Sequence, residues 1–248
     1  MKVLRNLLSS LFLLAALNAA ADEDMLKAKK VFETYKDSVV NISFVLSTDM
    51  TLGGNPLPSK DKNVETKATV FSKDLIVTSY SNLDSTVLQG LTEFRGQKIE
   101  VKASFKDVKL IASDGSEIPL KVVLVDKDQN LAFLAFDKAH SDYREVKLVE
   151  AGFEKEGSAG PLDKVINISR LDKELYRSPA VKQGYITARV EKPRVTYLAS
   201  IGESGTPLYK LDGSLIGLVT VKLGAKKKMI VIPVKDLNTI AQQAVKKI

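Results

Sequence analysis

From Val39 onward the apolar residues fall in short, β-branched runs: VVNISFV, ATVF, LIVTS, VKLIAS, KVVLV, LAFLAF, KVINIS, GYITARV, LIGLVTV and MIVIPV. Turn signals separate them, Asp114-Gly115 and Asp212-Gly213 among them. Many short strands punctuated in this way predict an all-β sandwich or barrel rather than alternating β-α units. A helix is predicted at each end. Met25, Ala28, Phe32, Tyr35 and Val39 recur at helical spacing behind Asp22-Glu23-Asp24, whose negative charge suits a helix start. After Pro233, the residues Leu237, Ile240, Ala241, Ala244 and Val245 share one side of a second helix. The stretch STDMTLGGNPLPSKDKNVETK, residues 47–67, is polar and reads as a loop.

The start of the chain follows a different pattern. Lys2 and Arg5 precede an apolar run from Leu7 to Leu17, and Ala19-Ala20-Ala21 closes it. That is the layout of a secretory signal peptide, with a run too short to span a bilayer. Residues 1–21 are therefore expected to be cleaved near Ala21, which predicts a periplasmic or secreted bacterial protein. No later segment is apolar for long enough to cross a membrane.

Charge and composition narrow the chemistry. Without Lys2 and Arg5, 35 of the 37 basic residues remain against 30 acidic ones, and most lysines are interspersed with acids. Lys226-Lys227-Lys228 is the one dense run. It lies between two strand-like segments, has no stacking aromatics beside it, and reads as a solvated hairpin tip, so nucleic acid is not expected as a partner. There is no cysteine, hence no disulfide and no lipid attachment through Cys. A single histidine, no loop of calcium-binding spacing and no glycine-rich phosphate loop predict neither a metal nor a cofactor.

Three stretches carry a resemblance in the order expected of one family. ATVFSKDLIVTSYSNL (68–83), SDGSEIPLKVVLVDKDQNLAFLAFD (113–137) and GESGTPLYKLDGSLIGLVT (202–220) resemble the three signatures of chymotrypsin-fold serine proteases of the bacterial HtrA-type branch. IVIPV follows where that family has FAIP. The resemblance covers most of residues 38 to 245 and implies two six-stranded β-barrels with catalytic groups at their junction. It places an N-terminal barrel at about 38–150, a C-terminal barrel at about 160–235 and a helix at 236–248, with no PDZ domain following.

Carried over position by position, the resemblance matches Ser204 to the nucleophile, and the amides of Gly202 and Ser204 to the oxyanion hole. Glu203 stands where Asn or Asp is usual, and Thr206 where Gly is usual. The histidine position is occupied by Ser81 and the aspartate position by Asn130. A serine hydroxyl cannot accept and return a proton near neutral pH as imidazole does. Loss of such a histidine costs about 10^6-fold in turnover, and the acid-to-amide change alone about 10^4-fold. His140, in DKAHSDY, reads as a surface residue, and Lys210, the nearest downstream amine, shows no sign of desolvation. The resulting expectation is an exported trypsin-like protease homologue that is catalytically inactive and binds an extended peptide or a protein. The alternatives are a serine endopeptidase using Ser204 with an unorthodox base, and a structural envelope protein.

Overall fold

The computed structural model describes residues 23–84, 93–94, 96–112, 114–223 and 227–248. The expected signal peptide, and Lys226 of the lysine run, lie outside the described residues. The first helix, α1, spans 23–35. Strands β1 (Val39–Leu52), β2 (Asn55–Ser72) and β3 (Leu75–Ser79) follow, then a single turn of helix, α2 (Tyr80–Leu83). Next come β4 (Glu93–Phe94), β5 (Gln97–Ile111), β6 (Glu117–Asp126) and β7 (Leu131–Phe136). The second half holds β8 (Lys164–Arg170), β9 (Pro179–Val190), β10 (Thr196–Ala199), β11 (Pro207–Lys210), β12 (Leu215–Lys222), β13 (Lys228–Pro233) and the terminal helix α3 (Val234–Val245).

These strands close into two six-stranded antiparallel β-barrels with a helix at each end. The first runs in the order β1-β2-β3-β7-β6-β5 and closes through β1 against β5, with β4 attached to β5. The second closes as β8-β9-β10-β13-β12-β11. Numbered within its own barrel, each order is 1-2-3-6-5-4. The two halves therefore share one topology, although no repeat is visible in the amino-acid sequence.

The burial pattern explains why some strands do not alternate. In LAFLAF of β7 all six residues are buried. Ala132, Leu134 and Phe136 fill the first barrel, whereas Leu131 and Phe133 face an apolar layer between the barrels. β3 divides in the same way, Ile76 inward and Leu75 and Val77 toward the junction. A strand covered on both faces has no reason to alternate. The junction layer also takes Ile166 and Ile168 of β8, Tyr209 of β11, and the inner faces of both helices. The second barrel is filled by residues such as Val165, Ile186, Leu208 and Val231.

Three local expectations need correction. In α1 the buried face is Ala28, Val31 and Tyr35, while Met25 is exposed; helical phase puts Met25 at the rim, and Val39 already belongs to β1. In α3 Val245 is exposed, because the last turn runs past the body. The polar stretch 47–67 is not a loop. It extends β1 and β2 into a hairpin turned at Gly53-Gly54, both at positive φ, the geometry a two-residue hairpin demands. β5 flanks β1 along the same stretch, from Thr48 opposite Ala103 to Leu52 opposite Ile99. This ribbon is held by its ladder of backbone hydrogen bonds, and residues 55–63 of β2 are exposed, so no hydrophobic signal marks it.

Candidate functional site

Ser81 and Asn130, far apart in the chain, meet in the junction. β3 ends at Ser79 and the chain turns into α2, so Ser81 sits on the first turn with its side chain buried. Asn130 closes the turn between β6 and β7 at φ +56°, a left-handed conformation that Asn adopts at little cost. Its Oδ1 accepts the Ser81 backbone N–H at 2.8 Å. Its Nδ2 lies 2.7 Å from the Val221 carbonyl, 2.9 Å from Ser79 Oγ, 3.0 Å from Ser81 Oγ and 3.2 Å from Thr220 Oγ1. Thr220 Oγ1 donates to the Asn130 carbonyl at 3.0 Å. The result is a buried cluster of hydroxyls and one amide that bridges the two barrels, since Thr220 and Val221 belong to β12. None of its side chains changes charge near neutral pH.

Ser204 lies in the segment between β10 and β11. Its carbonyl accepts from Asn82 Nδ2 at 2.9 Å, and the same Asn82 amide reaches Thr78 Oγ1 at 3.1 Å. The neighbouring Gly205 donates its N–H to the Val219 carbonyl at 2.8 Å and accepts from Thr69 Oγ1 at 2.8 Å. Gly205 has φ +86°, and a Cβ there would stand 2.5 Å from the Lys67 carbonyl. Only glycine fits at both counts. The backbone of Ser204 is thus pinned from the first barrel. Its Oγ, by contrast, is buried and has no hydrogen-bond partner among the described residues. The structure brings Ser81 and Asn130 together but does not hydrogen-bond either of them to the Ser204 hydroxyl.

Gly202 and Ser204 flank Glu203 with no backbone hydrogen bond to the amide of either among the described residues. Thr206 is fully buried; its hydroxyl donates to the Glu203 carbonyl at 2.6 Å and accepts from Asn167 Nδ2 at 2.8 Å. The extra atoms relative to glycine are thus taken up by a hydrogen bond to β8.

Glu203 is held by charge. Its carboxylate pairs with Lys67 Nζ at 2.8 Å and accepts from Ser169 Oγ. Lys67 also pairs with Asp172 at 2.7 Å. Burial works against the Lys67 ammonium, but its bonds to Asp172 and Glu203 outweigh this and raise its pKa above the ordinary value. Lys67, whose ammonium pairs with Glu203 beside Ser204, is therefore held protonated, the opposite of what a catalytic base requires. One pleat away, Arg177 grips Glu65 with two hydrogen bonds of 2.6 and 2.8 Å. These bonds, opposed by burial and helped by Asn41, hold the Glu65 carboxyl below the usual range. Lys67 and Glu65 are on β2, whereas Glu203, Asp172 and Arg177 belong to the second half, so both sets of pairs strap the barrels together.

The other amines and the histidine lie elsewhere. His140 is exposed and its Nδ1 accepts from the Asp142 amide at 3.1 Å. Lys210 lines a groove against α1. Asn82, Thr78, Lys67 and Thr220 were not visible as site residues in the sequence. Asn82 is the one with a signal, since it directly follows Ser81 within the first motif.

Two barrels of identical topology, with a serine turn and a β3–α2 corner at their junction, define the trypsin-like class of fold. The family model for the trypsin-like peptidase domain matches residues 66–218, more than half of the chain, and the chain belongs to that family. No curated protein matches the sequence. Among solved structures, the serine endoprotease from Yersinia pestis superimposes with a TM-score of 0.59 at 16% identity, over 88% of this chain and 66% of that one. The chain thus spans just under two thirds of that protein's length.

Proposed function

We propose that the chain is an exported protease homologue that holds an extended peptide or a protein partner without cutting it. One observation carries the reading: the hydroxyl at the nucleophile position is buried and, among the described residues, has no hydrogen-bond partner and no base bonded to it. Attack on a carbonyl needs a hydroxyl that is accessible and can hand its proton to a base within hydrogen-bond reach. The histidine and aspartate positions instead hold Ser81 and Asn130, which spend their hydrogen bonds on each other and on β12.

Binding makes lighter demands. The family's mode of capture pairs an extended peptide with a strand edge, which needs backbone groups and pockets but no proton transfer. A recess of about 270 Å³ lies beside Lys222, lined also by Gln129, Arg194 and Thr196. Export rests on the Lys2–Ala21 pattern at the start of the sequence.

A fluorophosphonate probe tests the reading. The expected result at neutral pH is no stoichiometric labelling of Ser204. Labelling that is complete and is abolished by Ser204→Ala would overturn it in favour of a hydrolase.

A further inference from the structure

A groove of about 760 Å³ runs between α1 and the turn that joins β11 to β12. None of its lining residues belongs to the Ser204 segment. Five lysines reach it, and two of them are neutralised: Lys164 by Asp24 and Lys27 by Glu23. Lys30, Lys155 and Lys210 have no ion pair among the described residues. The one other carboxylate in the groove, Asp212, is engaged locally, because its Oδ1 accepts the Ser214 amide at 2.9 Å and the Ser214 hydroxyl at 2.6 Å. Asp212 also attracts Lys210 through space, so five ammoniums stand against three carboxylates in and beside the concavity, with Lys30 and Lys155 unpaired among the described residues. Between them the wall is apolar, formed by Val31 of α1 and by Leu211.

We propose that this groove binds an acidic peptide segment whose carboxylates alternate with aliphatic side chains. Lysine ammoniums are compact point charges on apolar stems, suited to exposed carboxylates, and the groove contains no arginine fork of the kind that favours planar or bidentate phosphate recognition. Nor does it offer a free aromatic face for a nucleobase. Tyr35, the one aromatic lining it, is buried and already stacked on Tyr209 at 4.7 Å between centroids. The aliphatic patch between the ammoniums gives an apolar side chain somewhere to go when two flanking carboxylates are held. This site stands whether or not Ser204 reacts.

The test is fluorescence anisotropy on the intact chain with a labelled peptide of sequence Glu-Leu-Glu-Glu-Leu-Glu. Binding that weakens with added salt is expected, and about tenfold loss in the triple variant Lys30→Gln, Lys155→Gln, Lys210→Gln. A control of equal charge change on the exposed ribbon, Lys60→Gln, Lys62→Gln, Lys102→Gln, should leave affinity within about twofold. Replacing both leucines of the peptide by serine should weaken it. Hydrogen exchange on the wild-type chain gives a readout independent of any variant: protection on peptide binding is expected in 27–34 and 210–214. Absence of binding at low salt, or equal loss in both triple variants, overturns the proposal. So does full retention by the serine peptide with displacement by tripolyphosphate, which would mean a plain anion site.

Discussion

The side-chain oxygen of Asn130 accepts the backbone N–H of Ser81 at 2.8 Å, while the amide nitrogen on the same side chain points at the Val221 carbonyl, 2.7 Å away. The first contact requires an acceptor and the second a donor, which an amide supplies at neutral pH and an ionised carboxylate does not. A carboxylate at this position would set two oxygens against each other in a buried junction.

Asn130→Asp is accordingly expected to destabilise the chain at neutral pH by on the order of 3 kcal/mol, as a buried charge loses its donor role toward Val221. Chemical denaturation of the two proteins measures it. Equal stability would mean that the Asn130 amide does not face Val221 as described.

Placing an imidazole at position 81 and a carboxylate at position 130 should not by itself confer reactivity. Ser81→His combined with Asn130→Asp forces an imidazole into a position that is 4% exposed, where overpacking costs about 1–3 kcal/mol. It also leaves the Ser204 hydroxyl buried. The expected outcome is a less stable protein that remains unreactive toward fluorophosphonate at neutral pH; stoichiometric labelling of the double variant would contradict the role assigned to burial of that oxygen.

Gly205 tests how tightly the serine turn is clamped. A Cβ at this position would meet the Lys67 carbonyl at 2.5 Å, Thr78 Oγ1 at 2.6 Å and Asn82 Nδ2 at 2.7 Å, on a backbone at φ +86°. Backbone and a bonded side-chain pair cannot all retreat. Gly205→Ala should therefore cost about 3 kcal/mol or more, read as a lowered thermal midpoint with both barrels still present by far-ultraviolet circular dichroism. A loss below about 0.5 kcal/mol would show that the turn is free to shift.

The fold could be read from sequence wherever burial was one-sided or complete. LAFLAF, LIVTS and LIGLVTV announced strands because their side chains fill a barrel or the layer between barrels. The hairpin arms at 47–67 stayed hidden because backbone pairing between β1, β2 and β5 holds them, and residues 55–63 are exposed. At the site, Ser204, Ser81 and Asn130 could be found because motif frames fix their positions in the chain. Lys67 and Glu65 could not, and Asn82 only through its place after Ser81, since their roles depend on partners such as Glu203, Arg177 and Ser204 that come from the other half of the chain.

The inter-barrel straps predict opposite behaviour at the two ends of the pH scale. Glu65 has a folded pKa below its ordinary 4.5, first through its hydrogen bonds to Arg177. A depressed carboxylate contributes stability that is complete above the unfolded value and is lost as pH falls through the folded one. Lys67 is shifted the other way, above its ordinary 10.5, by ion pairs that outweigh its burial. Its contribution is complete below the unfolded value and is lost as pH rises through the folded one. Glu65→Gln should thus lower the thermal midpoint at neutral pH by about 2–4 °C, corresponding to about 1 kcal/mol, and the gap to wild type should close under acid. Lys67→Met should show its gap at neutral pH and lose it in strong alkali, and also in acid, where Asp172, whose carboxyl Lys67 holds below the usual range, takes up its proton. Thermal melts across pH for the three proteins decide the matter. A Glu65→Gln gap that persists unchanged well below the folded carboxylate range would mean that the Arg177 pair does not strap the barrels.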